Sequence, residues 1–342
     1  MLTNFLIFYT LFSILFLGIC RRFNILMDKK IEKHKKYSSK NNSHLLGGLL
    51  ILFFLSHYYF LVSTNYLIYS FLFSFFLIGI MADTRGINSV SQRFILQLII
   101  TLCFVNLINI EINYTKISFF DEILEINLIN TLFVSFCLLV LINGTNFLDG
   151  INGLVITYYI IIFLILLLNL NSFIFDQTIL KNFIFVLLIL LLLNFSGLIY
   201  LGDSGSYTLS LFSGLFLINL AFNNNSISPY FIVLLLWYPC FELLFSMIRR
   251  YFRKIKTYKP DTIHLHQMVY KNFKFKINTK NNLLLHILTN LLINFYNLIS
   301  FIFALRYIYN SEKLILIIVI NITVYILAYN YLNFSFNRIK RK

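Results

Sequence analysis

Charge and proline are both scarce in this chain. Of its 342 residues, 12% are charged, 3 are proline and 1 is tryptophan. Soluble domains carry about 25% charged residues; a water-facing surface could not be built from so few, which argues strongly against a soluble globular enzyme. Disorder is excluded, because it needs low hydrophobicity and high charge. Four cysteines scattered through apolar runs give neither a disulfide scaffold nor a zinc site. Acidic residues number 13 against 28 basic ones, a net charge of +15. With so much apolar surface, that excess does not point to nucleic acid. What the chain has in abundance is hydrophobic residues, 59% of the total, with 39 Phe and 22 Tyr.

These residues fall into runs of the length a bilayer requires, about 20 mainly apolar residues each. Seven runs are clear: 3–20, 94–110, 153–170, 180–201, 230–248, 284–305 and 313–333. Four weaker ones lie at 45–62, 65–80, 127–142 and 207–221. The expectation is an all-α polytopic membrane protein of about 11 spans, with one integral domain over 1–342 and no soluble domain. The first run has no basic start and is followed by Arg21 and Arg22 with no convincing cleavage site, so it reads as a retained span. With the N-terminus outside and the C-terminus cytoplasmic, the inner segments hold 24 of the 28 basic residues, as the positive-inside rule demands. There is no internal repeat of the kind many transporters carry.

The polar residues collect in the short inner segments. Asp83 follows Gly79-Ile-Met-Ala, and Asp149 lies in Asn143-Gly-Thr-Asn-Phe-Leu-Asp-Gly-Ile-Asn-Gly153. Asp203 sits in Gly202-Asp-Ser-Gly-Ser206, and His264 and His266 in Lys259-Pro-Asp-Thr-Ile-His-Leu-His-Gln267. Four segments far apart in sequence thus offer carboxylates, amides and imidazoles at one membrane face, where a carboxylate must point into the bundle or a wet cleft. Asp83 and Asp203 are hard oxygen ligands of the kind that hold Mg²⁺ together with substrate phosphates. A glycine-rich loop at 202–206 would let backbone approach a phosphate. Basic residues in 21–44 and 249–283 would attract polyanionic substrates and anionic headgroups. Blander roles stay open. Asp83 could pair with Arg85, Asp149 could cap the helix that follows it, and Glu242 could pair with Arg249 or Arg250.

These motifs, in this order, resemble the polyprenyl-phosphate N-acetylhexosamine-1-phosphate transferases, the family that includes WecA and, more distantly, MraY. Asn143-x-x-Asn146-x-x-Asp149-Gly150-x-x-Gly153-Leu154 is similar to the family's N-x-x-N-x-x-D-G-x-D-G-L. Gly202-Asp203-x-Gly205-Ser206 is similar to G-D-x-G-S, and Pro260-Asp261-x-x-His264-Leu265-His266 to P-D-x-x-H-[IL]-H-H. Asp83-Thr84-Arg85 stands where the family has D-D-x, and Pro239-x-x-Glu242 where it often has P-x-x-D. Asp28-Lys29, His34 and Gly47-Gly48 resemble its N-terminal D-x-P…K-x-H…P-x-x-G-G segment, so the motif-bearing part spans 28–267. Thr84 and Asn152 replace two family Asp residues, Gln267 a His, Thr262 an Arg and His44 a Pro. The first two changes lower the negative charge of the site.

The resemblance implies transfer of an N-acetylhexosamine-1-phosphate from a UDP-sugar to polyprenyl phosphate in the inner leaflet. The products would be polyprenyl-diphosphate-sugar and UMP, initiating an envelope glycan such as O-antigen. It further implies a bacterial inner membrane with the active site on the cytoplasmic face, and Mg²⁺ as cofactor, with Mn²⁺ as an alternative. A homodimer is left open. Asp203 and Asp83 are assigned to the metal, with Asp83 also orienting or deprotonating the lipid phosphate. Asp149 would shape the nucleotide or metal site, and His264 and His266 would meet phosphate or the edge of the sugar. Substrate contacts fall to Lys33, His34, Arg85, Asn143, Asn146, Asn152, Arg249, Arg250 and Arg253. The competing expectations are a transporter or flippase of lipid-linked anions and a catalytically impaired family member.

Overall fold

A computed structural model describes residues 2–27, 43–87, 89–169, 177–254, 263–277, 279 and 281–339. Their helices are α1 (Leu2–Arg22), α2 (Gly47–Leu61), α3 (Tyr66–Asp83), α4 (Val90–Ile108), α5 (Ser118–Leu124), α6 (Asn127–Leu148) and α7 (Leu154–Asn169). They continue as α8 (Gln177–Phe195), α9 (Gly202–Phe222), α10 (Pro229–Leu235), α11 (Trp237–Phe252), α12 (Leu265–Ile277), α13 (Asn282–Arg306) and α14 (Ser311–Ile339). Helix ends carry local signals. Asn65, Ser89 and Asn281 each accept the backbone N–H three residues on, filling an N–H that the helix itself leaves open. Pro229 opens α10, where a missing N–H costs nothing.

The chain is an all-α, polytopic membrane protein. Among the described residues, eight helices are long and apolar enough to cross a bilayer, nine if α10 and α11 form one broken span. All eleven apolar stretches of the sequence contain helix, and these eight or nine are the ones that reach full spanning length. The stretches 45–62 and 153–170 form the shorter helices α2 and α7, of 15 and 16 residues. The stretch 230–248 breaks at Leu236 into two helices bent by 71°. Large apolar side chains such as Leu15, Leu107, Leu192 and Leu327 remain exposed around the outside, as a lipid-facing surface requires.

At the centre is α9, enclosed by α2, α3 and α6. Without a hydrophobic drive between helices in lipid, close approach depends on small residues. A Cβ at Gly79 of α3 would lie 2.3 Å from Ser204 Cα, and one at Gly48 of α2 would lie 2.7 Å from the Gly205 nitrogen. Gly144 of α6 meets Pro239 of α11 in the same way, 2.2 Å from its carbonyl oxygen. A two-residue parallel pairing, β1 (His44–Leu45) with β2 (Ile199–Tyr200), ties the start of α2 to the turn before α9. These contacts leave the first turn of α9 nowhere to move, and the polar residues gather around that turn.

Candidate active site

Gly202 has φ +75°, a conformation that favours glycine, and a Cβ there would lie 2.7 Å from a carboxylate oxygen of Asp83. The chain turns at this point into α9, whose first N–H groups have no partner within the helix. Asp83 and Asp149 supply partners from other helices. Asp83, the last residue of α3, accepts the backbone N–H groups of Asp203 at 2.9 Å and Ser204 at 3.0 Å, and the Ser204 hydroxyl at 2.8 Å. Asp149, just past α6, accepts the N–H of Gly202 at 3.1 Å. Negative charge is favoured at a helix N-terminus, and Asp203 adds a third carboxylate within the same turn. Its Oδ2 is held by Arg93 Nη1 at 2.6 Å.

The expected phosphate-binding loop at 202–206 is therefore the opening turn of a helix, and the N–H groups of 202, 203 and 204 are already bonded to carboxylates. The segment 143–152 is also mostly helical, with Asn143 and Asn146 on the last turns of α6. Asn146 accepts from the Ser206 hydroxyl at 3.0 Å. Asn143 donates to Gln97 Oε1 of α4 at 3.0 Å. The structure thus brings Asp83, Asp149, Asp203, Asn143 and Asn146 together, with α4 as a fourth wall. Asn152 reaches another partner set. Its side-chain amide donates to the Asn194 carbonyl at 3.2 Å, and its backbone N–H to His286 at 3.1 Å.

A second cluster adjoins the first through Phe147, which lies between Asn146 and Asp149 in sequence. The Phe147 ring stands 5.0 Å from that of His264, and the Arg250 guanidinium lies 5.6 Å from the Phe147 centroid, a cation–π distance. His264 stacks on His266 at 5.5 Å. The segment 249–283 contains the end of α11 and all of α12, and His264 lies immediately before α12. Both imidazoles are buried, as are Arg249 and Arg250. Arg249 donates to the Ile263 carbonyl at 2.8 Å and the Tyr329 hydroxyl at 3.0 Å, so it ties α11 to α14. Arg253, at the end of α11, is exposed.

Several expectations are corrected or fall elsewhere. Arg85 is exposed with φ +67° while its neighbour Asp83 turns inward to α9. Glu242 bonds to His264 at 2.9 Å and Tyr325 at 2.8 Å, where an arginine partner was expected. Asp149 accepts from the first turn of α9, a partner far from it in sequence. Lys33, His34, Asp28, Lys29, Pro260 and Asp261 lie outside the described residues. Arg93, Gln97, Ser204 and Phe147 were not picked out from the sequence. Arg93 had a signal, since a basic side chain in the first turn of a helix opposes the helix dipole.

Among the described residues, no group of three His, Cys, Asp or Glu side chains is arranged to hold an ion on its own. Mg²⁺ takes one or two carboxylates and completes its shell with substrate phosphates and water; Asp203, whose Oδ2 also meets Arg93, and Asp83 are carboxylates of that type beside one helical turn.

Residues 65–221 match the model of glycosyl transferase family 4. The match covers just under half of the chain. It takes in Asp83, Arg93, Asn143, Asn146, Asp149 and Asp203, and leaves out the histidines and α10–α14. No curated protein matches the chain.

Proposed function

We propose that the chain is a polyprenyl-phosphate N-acetylhexosamine-1-phosphate transferase of a bacterial inner membrane, working at the cytoplasmic face. One observation carries this reading. Asp83, Asp149 and Asp203 converge on the first turn of α9, inside the stretch that matches glycosyl transferase family 4.

In the proposed reaction a lipid phosphate oxygen attacks the sugar-bearing β-phosphorus of a UDP-N-acetylhexosamine. The bond from that phosphorus to the bridging oxygen breaks, UMP leaves with the bridging oxygen, and the lipid keeps a diphosphate linked to the sugar. Transfer between two anions needs alignment and charge screening more than covalent help. Asp203, with Asp83, would hold Mg²⁺, which supplies that screening when bound. Asp83 has a second task, since by gripping the Asp203 and Ser204 amides it fixes where Asp203 stands. Arg93 keeps the Asp203 carboxylate oriented from the side of α4. His264 and His266 would meet phosphate or the edge of the sugar. Arg253 is the arginine of α11 best placed for a lipid headgroup, because Arg249 is committed to Ile263 and Tyr329.

The test is to incubate the purified full-length protein with polyprenyl phosphate and a panel of radiolabelled UDP-sugars. Label passing into the lipid phase with stoichiometric UMP is expected for at least one N-acetylhexosamine. Nucleotide sugar left intact across the panel would overturn the assignment and favour an impaired member or a transporter.

A further inference from the structure

Glu242 of α11 has no solvent exposure. A carboxylate so placed costs several kcal/mol unless its oxygens are fully partnered, and its partners come from both sides. The Tyr325 hydroxyl of α14 donates to Oε2 at 2.8 Å. His264 Nδ1 lies 2.9 Å from Oε1, and the Ser246 hydroxyl, one turn along α11, is 3.2 Å from the same Nδ1. An ionised carboxylate only accepts hydrogen bonds. His264 must then carry a proton on Nδ1 whether the ring is neutral or cationic. In the neutral ring this makes Nε2 the accepting nitrogen, opposite to the tautomer a free histidine prefers.

The ring held in this way is the one that touches the site. It packs on Phe147 at 5.0 Å and lies nearly parallel to His266, 9° between planes. Phe147 shares its helical turn with Asn146, which bonds to Ser206, and Asp149, which bonds to Gly202, follows directly after that turn. The hydrogen bonds of Glu242 go to this ring and to α14. We infer that Glu242 is a positioning residue: with Tyr325 it fixes the tautomer and ring orientation of His264 beside the end of α6, so that Nε2 is the nitrogen offered to substrate, accepting from a sugar hydroxyl in the neutral ring and donating to a phosphate oxygen in the cationic one. The catalytic part of this inference rests on the transferase reading; the tautomer part does not. It also gives α14, which lies outside the matched stretch, a reason to be tied to the site.

The experiment uses the full chain in lipid with ¹⁵N-labelled histidine, His264→Gln identifying the His264 signals. Wild type should show the His264 proton on Nδ1. Glu242→Ala should move it to Nε2, and Glu242→Gln, which keeps an accepting oxygen, should leave it on Nδ1. A wild-type proton on Nε2, or an unchanged tautomer in Glu242→Ala, overturns the inference. If the alanine variant does not fold, Glu242→Leu replaces the buried charge at similar volume and is read in the same way. In the transfer assay, Glu242→Ala should lose about 10–100-fold in kcat with little change in KM for the nucleotide sugar, and Glu242→Gln should recover most of it. Equal losses in the alanine and glutamine variants would also count against positioning. Should wild type transfer nothing, the proposed function falls while the ¹⁵N result still decides the role of Glu242.

Discussion

Asp83 accepts both the backbone N–H and the hydroxyl of Ser204, at 3.0 and 2.8 Å, although the two residues stand 121 positions apart. One carboxylate therefore does for α9 what an N-cap residue does for its own helix. Asparagine has a single accepting oxygen and turns an NH2 group toward donors. Asp83→Asn should lower the Tm of the detergent-solubilised protein, with a loss of about 1.5–3 kcal/mol for hydrogen bonds to a charged group. Transfer should fall with it. A thermal melt that matches wild type would show that Asp83 does not hold this helix end.

Arg93 and Asp203 form a close ion pair at the site, at 2.6 Å. Removing either has a different consequence for a bound cation. Asp203→Asn should abolish transfer while leaving membrane insertion intact, and full activity from the purified variant would remove Asp203 from the metal. Arg93→Ala leaves the carboxylate free of its competitor. Transfer should drop at least about tenfold, as for the loss of a group that orients a metal ligand, while the Mg²⁺ concentration giving half-maximal rate shifts downward. Arg93→Lys should lie between. A titration that moves upward in Arg93→Ala would mean that the guanidinium assists the ion.

The carboxylates could be read from sequence because each stands in a short polar break between apolar runs, where a charged side chain has to face a cleft or a partner rather than lipid. Their partners could not. Asp83 meets Ser204 through helix packing over 121 residues, and no local pattern records that contact. The helical state of Asn143 and Asn146 was hidden for a related reason. Asn, Gly and Thr are poor helix formers, so Asn143-Gly-Thr-Asn146 looks like a loop, yet Gly144 is there to meet Pro239 and the helix continues to Leu148. Hydropathy located each apolar stretch but not the shape of its helix. The stretch 230–248 is apolar throughout, but it bends by 71° at Leu236. Glu242 looked like a neighbour of Arg249 two turns along one helix. Its acceptor positions are instead filled from α14 and from His264, just ahead of α12, a choice made by tertiary packing.

Thr84 stands where the motif that this segment resembles carries a second acidic residue. It is exposed, and its hydroxyl donates to the Ile80 carbonyl at 2.7 Å, one turn back along α3. An aspartate at this position loses that bond, which slightly relaxes the helix, and adds a charge next to Asp83. Thr84→Asp should lower the Mg²⁺ concentration needed for half-maximal transfer. An unchanged metal titration would place position 84 outside the ligands of the ion.

Gly79 and Gly144 separate packing from chemistry. Neither carries a side chain that could touch a substrate. Yet a methyl group at Gly79 would sit 2.3 Å from Ser204 Cα, and one at Gly144 would sit 2.2 Å from the Pro239 carbonyl oxygen. Both obstacles are backbone, so no side chain can swing away, and overpacking of this kind costs about 1–3 kcal/mol or more. Gly79→Ala pushes α3 from α9 and takes Asp83 with it, since Asp83 lies one turn further along α3. It should depress both Tm and kcat. Gly144→Ala acts between α6 and α11, where the displaced groups are Phe147 and its contacts to His264 and Arg250. It should depress Tm comparably, while the Mg²⁺ titration stays at its wild-type position because Asp83 and Asp203 are not moved. A shifted metal titration in Gly144→Ala would mean that the two clusters are one mechanical unit, and that the last turn of α6 transmits displacement from the histidines to the carboxylates.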